Sequence, residues 1–177
     1  MQLDIGNNFQ IRSFQSEDVD AIVKYANNRK IWLNLRDLFP HPYTKIDGIN
    51  WIKQVQEEKP ERNFAIASNE EVIGGIGITL QSDVNRLSGE IGYWLGEPFW
   101  GRDITSRAVK AFTEYAFVTY NIIRIYAYIF SNNLASMRVL EKAGYTCEGC
   151  LRGSIIKDGK ICDSFVYSIL RRGEVIL

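Results

Sequence analysis

Two segments of the chain carry residues whose types and spacing could do chemistry. The first is Tyr93-Trp94-Leu95-Gly96-Glu97-Pro98-Phe99-Trp100-Gly101-Arg102-Asp103-Ile104-Thr105-Ser106, which reads as a strand end, a glycine-containing loop and a helix start. The first N–H groups of a helix have no intrahelical acceptor and, with the helix dipole, form an anion site suited to phosphate. The same residues also fit a plain capped helix, with Asp103 as N-cap and the aromatics in the core. The second segment, Ser131-Asn132-Asn133-Leu134-Ala135-Ser136, places asparagines after an apolar strand, where they serve as turn and cap residues. Cys147 and Cys150 spell C-x-x-C. A zinc site needs further ligands, and Cys162 and the distant His41 are what remains, so ordinary thiols and no metal are expected.

The elements that must position these segments follow from periodicity. Phe9 to Phe14 alternates as a strand, and Ser16 offers an N-cap to a helix with Val19, Ile22, Val23 and Ala26 on one face. Phe39-Pro40-His41-Pro42-Tyr43-Thr44 is a stiff loop, because two prolines fix φ and extend their predecessors. A second helix carries Ile49, Ile52 and Val55 inward and ends at Pro60. Strands are expected at Phe64 to Ser68, Val72 to Gln81 and Gly89 to Leu95. Val109, Phe112, Ala116 and Tyr120 mark a third helix, and Ile122 to Phe130 a further strand. Asn133 to Ala143 is helical and stops at Gly144, and Tyr145 to Leu170 forms a hairpin around Asp158-Gly159. The order is β-α-α-β-β-β-α-β-α-β-β, a mixed α/β domain with one sheet and one core.

Composition removes several function classes. A chain of 177 residues suits one domain, and 46% hydrophobic content with zero net charge argues against disorder. The 21 basic residues are scattered among 21 acidic ones, so a nucleic-acid-binding surface is not expected. No apolar run approaches the roughly 20 residues of a membrane helix. The opening Met1-Gln2-Leu3-Asp4 lacks the shape of a secretory signal, and three cysteines suit a reducing compartment. The expectation is a cytoplasmic protein without a membrane partner.

Taken together, Ile91-Gly92-Tyr93-Trp94-Leu95, Phe99-Trp100-Gly101-Arg102 and Asn133-x-x-Ser136-x-x-Val139-Leu140-Glu141-Lys142-Ala143-Gly144-Tyr145 resemble the GNAT superfamily of acetyl-CoA-dependent N-acetyltransferases. The Phe39 to Thr44 loop, Glu148-Gly149-x-Leu151-Arg152 and Asp158-Gly159-x-x-x-Asp163 are similar to its RimJ/RimL branch of ribosomal-protein alanine N-acetyltransferases. The resemblance spans nearly the whole chain and implies one N-acetyltransferase domain over residues 1–177. It implies a single central, largely antiparallel sheet with a splayed strand pair, flanked by about four helices.

It also implies roles. Acetyl-CoA, as co-substrate, would lay its pantetheine arm along the main chain of Trp94, Leu95 and Gly96. Its pyrophosphate would meet amides of Gly101, Arg102, Asp103, Ile104, Thr105 and Ser106, and Asn133 would bond the pantetheine region. The family carries glycine where Asp103 stands, a small residue at Thr105 and often glutamate at Arg107. Aspartate tolerates left-handed backbone but adds a negative charge. Two unit charges about 5 Å apart repel by roughly 1 kcal/mol in water and about 3 at an effective dielectric near 20. Asp103 is therefore expected to turn away, to pair with Arg102 or Arg107, or to weaken the coenzyme.

For proton transfer the resemblance points to Glu90, which alternation places on one face with Gly92 and Trp94; an exposed strand-end glutamate is the alternative. The tyrosine that many relatives use toward the leaving thiolate is Leu140 here, whereas the Rim-type serine matches Ser136, with helix packing as the alternative. Ile155 stands where some relatives carry a glutamate and takes no proton. The acceptor pocket would draw on Trp32, Leu33, Phe39, His41 and Tyr43, or these are core and loop packing. An α-amine costs only about 1 kcal/mol to deprotonate at pH 7, against about 4.6 for lysine, which tilts the acceptor toward a protein N-terminus or a small amine. A non-catalytic acyl-CoA-binding or regulatory domain is the competing reading, and a homodimer is compatible with the sequence.

Overall fold

A computed structural model describes residues 1–171 and Gly173. The chain opens with a hairpin, β1 (Gln2–Gly6) and β2 (Phe9–Arg12), whose turn residues Asn7 and Asn8 have φ of 56° and 63°. Asparagine tolerates that left-handed pair, which matches the twist of a two-residue hairpin. The sequence pattern missed β1 because it buries Ile5 alone, so its alternation carries little signal.

A 3-10 turn at Ser16–Asp18 leads into α1 (Val19–Ala26). Ser16 is not the cap. The buried Asp18 carboxylate accepts from Gln15 N–H at 2.8 Å and from both Arg12 guanidinium nitrogens at 2.7 and 2.8 Å. A one-turn helix, α2 (Arg29–Trp32), was not legible from periodicity; it is capped by Asn28, whose side chain accepts from Lys30 N–H. α3 (Lys45–Glu57) begins with a reciprocal Thr44–Asp47 capping box. Ile52 and Val55 are buried as expected, but Ile49 is 49% exposed. Gly48 takes the inward position instead: a Cβ there would lie 3.3 and 3.4 Å from methyls of Val23 and Val19, so its bareness lets α3 sit close on α1.

The remaining elements are β3 (Asn63–Ser68), β4 (Val72–Leu80), β5 (Ser88–Leu95), α4 (Ile104–Thr119), β6 (Arg124–Phe130), α5 (Leu134–Lys142), β7 (Thr146–Lys157) and β8 (Lys160–Leu170). They form an 8-stranded sheet in the order β1-β2-β3-β4-β5-β6-β8-β7. Pairs β1–β2, β2–β3, β3–β4, β6–β8 and β7–β8 are antiparallel, and β5–β6 is parallel. The sheet is mostly antiparallel, as expected, but the expected description as a single sheet with a splayed strand pair is corrected: it is an eight-stranded mixed sheet with one parallel pair. The sheet is mixed, because α4 is a crossover that returns the chain to run parallel to β5. Five α-helices accompany it among the described residues, in keeping with the expected number of about four.

The chain comprises two compact units, Met1–Gly77 with Tyr93–Ala108, and Ile78–Gly92 with the chain from Val109 on. The first has a core of Phe14, Ile22, Tyr43, Ile52, Val55 and Val72, against which Phe39, Trp51 and Trp94 pack. In the second, β6 and β8 pair from Arg124↔Leu170 to Phe130↔Ser164, burying Ile125 and Ala127 beside Tyr167. The Tyr167 hydroxyl donates to Glu141 of α5 at 3.1 Å, and the Tyr145 and Thr113 hydroxyls lie 2.7 Å apart. The β7–β8 turn is Asp158-Gly159, with φ of 51° and 73°, as the turn pair requires. Among the described residues no helix is long and apolar enough to cross a membrane.

Candidate active site

In the first unit, β5 ends against β4 at unusually short range. Gly74 and Gly75 make this contact feasible: a Cβ on Gly74 would collide with the Trp94 carbonyl and lie 3.1 Å from Leu95 Cα, and one on Gly75 would lie 2.8 Å from the Trp94 indole nitrogen. Paired glycines inside a strand signal such an approach, a cue present in the sequence that periodicity alone passes over. Gly96 N–H then donates to Ile73 O at 2.7 Å, and Trp100 Nε1 donates to Leu95 O at 2.7 Å. The Glu97 carboxylate is held by Lys30 and by the Asn28 amide, and these bonds, Lys30 foremost, keep it below the usual carboxylate range.

The turn into α4 follows. Gly101 and Asp103 both adopt left-handed backbone, with φ of 73° and 59°. An ordinary N-cap is extended, so Asp103 enters the helix by a different path. The first ladder bond runs from Arg107 N–H to Asp103 O at 3.2 Å, which leaves the amides of Ile104, Thr105 and Ser106 without intrahelical acceptors. A Cβ on Gly101 would meet nothing within 4 Å, so the backbone there stands open. Arg102 lies over the rings of Phe9 and Phe99, at 5.3 and 5.7 Å from their centres. Arg107 Nη1 donates to Ile5 O at 2.7 Å and ties the turn to β1, a contact that no sequence pattern announced.

The aromatic residues expected at an acceptor pocket fall into two groups. Phe39 contacts Tyr43 at 5.0 Å and Trp94 at 5.9 Å, in a cluster where burial, with Asp47 nearby, pushes the Tyr43 phenol up to about 12. Trp32 instead stacks on the exposed His41 at 5.6 Å, with Arg29 over the indole at 5.6 Å. Leu33 closes α2 through its N–H to Arg29 O and joins neither group's ring contacts.

In the second unit, Glu90 is half-buried on β5, in register with Tyr126 of β6. Asn133 precedes α5, and its Oδ1 accepts from Ser136 N–H at 3.1 Å, so the capping role is realised. Ser136 is buried, and the helix ends at Gly144 with φ of 92°. Leu140 is fully buried, and Ile155 pairs with Cys162. The three cysteines are free thiols, and no group of three or more metal-ligating side chains is assembled among the described residues.

The first unit supplies a helix start with three amides outside the ladder, and the second a strand carboxylate and a buried hydroxyl at a capped helix. Residues 8–146 match the family described as "Acetyltransferase (GNAT) domain". An uncharacterized N-acetyltransferase of Bacillus subtilis (strain 168), YoaA, is 30% identical, covering 93% of this chain and 94% of the relative. An uncharacterized N-acetyltransferase of Bacillus licheniformis, p20, is 29% identical, covering 92% of each. Among solved structures, a RimL ribosomal alpha-N-protein acetyltransferase in complex with coenzyme A superposes with a TM-score of 0.85. It is 19% identical and covers 96% of this chain and 98% of that one, a likeness of fold.

Proposed function

Because the chain belongs to the GNAT acetyltransferase family, we propose that it transfers the acetyl group of acetyl-CoA to a primary amine, in the manner of the RimJ/RimL branch. A protein N-terminal α-amine or a small amine is the acceptor. The observation that carries this reading is the turn into α4. Its left-handed Gly101 and Asp103 precede three amides that the helix ladder cannot use, and a diphosphate needs such donors. The cradle fits the group through backbone rather than side chains. Asp103 meets the conformational requirement of the position without being glycine.

When bound, acetyl-CoA supplies an activated thioester. The pantetheine arm would run along the main chain at Trp94 and Leu95, where Leu95 O already accepts from Trp100 and Gly96 N–H is bonded to Ile73 O. Glu90 accepts a proton from the acceptor ammonium, so that a neutral nitrogen attacks the carbonyl carbon. The new C–N bond would form as the C–S bond breaks, the Ser136 hydroxyl hydrogen-bonding the departing sulfur, which takes up the proton that the new amide nitrogen sheds. Asn133 holds the start of α5 with its oxygen and keeps its amide NH2 for the coenzyme. The modest deprotonation cost of an α-amine suits one carboxylate working alone.

The test is incubation with acetyl-CoA and sets of peptides and amines, reading thiol release, beside a thermal shift with saturating coenzyme. Amine-dependent release together with a raised melting temperature is expected. An unmoved melting temperature and no release would refute the reading. The acid at Asp103 favours one second reading, a regulatory acyl-CoA-binding domain, which would show the thermal shift without release.

A further inference from the structure

Alternation sorts the β5 and β6 residues of the second unit onto two faces. Ser88 pairs with Arg124 and Glu90 with Tyr126, so Ser88, Glu90 and Gly92 share a face with Arg124, Tyr126 and Tyr128. The opposite face carries the buried Ile91, Ile125, Ala127 and Ile129. On the first face Tyr126 and Tyr128 meet edge to face with centroids 5.5 Å apart. The Arg124 guanidinium lies 4.8 Å from the Tyr126 ring centre and donates to Glu148. The ring of Tyr126 thus already holds a cation supplied by the chain itself.

Tyr128 is the next residue along that face. It is 41% exposed, and a Cβ built on Gly92 would meet nothing within 4 Å. A ring, open space at a glycine and the Glu90 carboxylate on one face are the parts a cationic amine requires. An ammonium is drawn to the negative face of an aromatic ring, and a carboxylate balances its charge.

We propose that Tyr128 determines acceptor specificity, receiving the primary ammonium of the incoming amine on its ring while Glu90 faces it as the opposing carboxylate. This rests on the acetyl-transfer reading and names its acceptor class: a primary ammonium without a neighbouring carboxylate. A free amino acid would bring its own carboxylate to a face whose Arg124 is already paired with Glu148.

Steady-state rates with acetyl-CoA test this, using two probes that share the ammonium: a short peptide with a free N-terminal alanine, and butylamine. The probe that the wild type turns over identifies the source of the amine. Tyr128→Leu is expected to raise that probe's KM about tenfold while the acetyl-CoA KM stays within about twofold. Tyr128→Phe, which keeps the ring, is expected to restore it. An unchanged acceptor KM in Tyr128→Leu, or a Tyr128→Phe variant as impaired as the leucine one, overturns the proposal. A wild type that binds acetyl-CoA but acetylates neither probe overturns the acceptor assignment. One that does not bind acetyl-CoA overturns the transfer reading as well.

Discussion

Between β5 and α4 the chain turns through Gly101 and Asp103, both in left-handed backbone, whereas between β6 and α5 Asn133 closes the turn with its own side chain on Ser136 N–H. The second junction is a local solution: the group that satisfies the helix start lies three residues from the amide it serves. The first depends on distant partners, with Gly96 N–H on Ile73 and Arg107 on Ile5. A helix start held from outside can keep its own amides for a ligand. One capped from within has committed an amide to the fold.

The largest expected effect comes from the glycine beneath the first junction. Gly74→Ala puts a methyl group into the Trp94 carbonyl, where backbone meets backbone. A loss of about 3 kcal/mol is expected, seen as a melting temperature lower by about 10 °C. A variant that melts with the wild type would mean that β5 does not depend on that close approach, and the contrast between the junctions would weaken.

Next in size is the alkaline response of the aromatic cluster that holds Trp94. Tyr43 is buried, with its phenol pushed up to about 12, so the fold keeps it protonated where the unfolded chain would release the proton. Below pH 10 both states hold the proton and nothing is lost. Between pH 10 and 12 the unfolded state alone ionises, and about 2 kcal/mol of stability drains away. Chemical denaturation across this window should show a shallower decline for Tyr43→Phe than for the wild type. Parallel declines would remove Tyr43 from the account.

At the second junction, Asn133→Ala removes the cap and is expected to lower stability by about 1 kcal/mol, or about 3 °C in melting temperature. With coenzyme present the loss should grow, because the variant also lacks the amide NH2 assigned to the coenzyme. A loss unchanged by coenzyme would leave Asn133 a cap alone. The smallest effect is expected at Asp103→Gly, which relieves an exposed charge and keeps the left-handed turn. Calorimetry should report acetyl-CoA binding about threefold tighter, the modest size reflecting solvent screening. Weaker binding would show that Asp103 helps the cradle it was expected to burden.

Much of this arrangement was legible in the residues. The Asp158-Gly159 hairpin, the Gly144 helix stop and the Asn133 cap each rest on the preferences of one or two neighbouring residues, and the structure contains all three. The strands from Phe64 to Phe130 stood out because apolar runs there are long and bounded by polar turns. Less was legible where the signal was short or non-local. β1 buries one side chain, α2 is a single turn, and the inward place expected of Ile49 belongs to Gly48 because a close helix contact needs the smaller residue. The expected acceptor residues divided in the same way, Phe39 and Tyr43 beside Trp94, and Trp32 with His41.

The sequence by itself determined most of the strands, helices and turns, β1 and α2 apart, since these follow from backbone preference and the alternation of apolar side chains. It also carried the spacing of the two junctions, with Glu90 on the strand before the first and Ser136 in the helix after the second. Tertiary structure alone decided that β5 and β6 run parallel, that Arg107 reaches Ile5, and that Arg124 occupies the ring of Tyr126 and not that of Tyr128. Such contacts join residues far apart along the chain. Which of them form is fixed by how the elements pack, and no local preference encodes it.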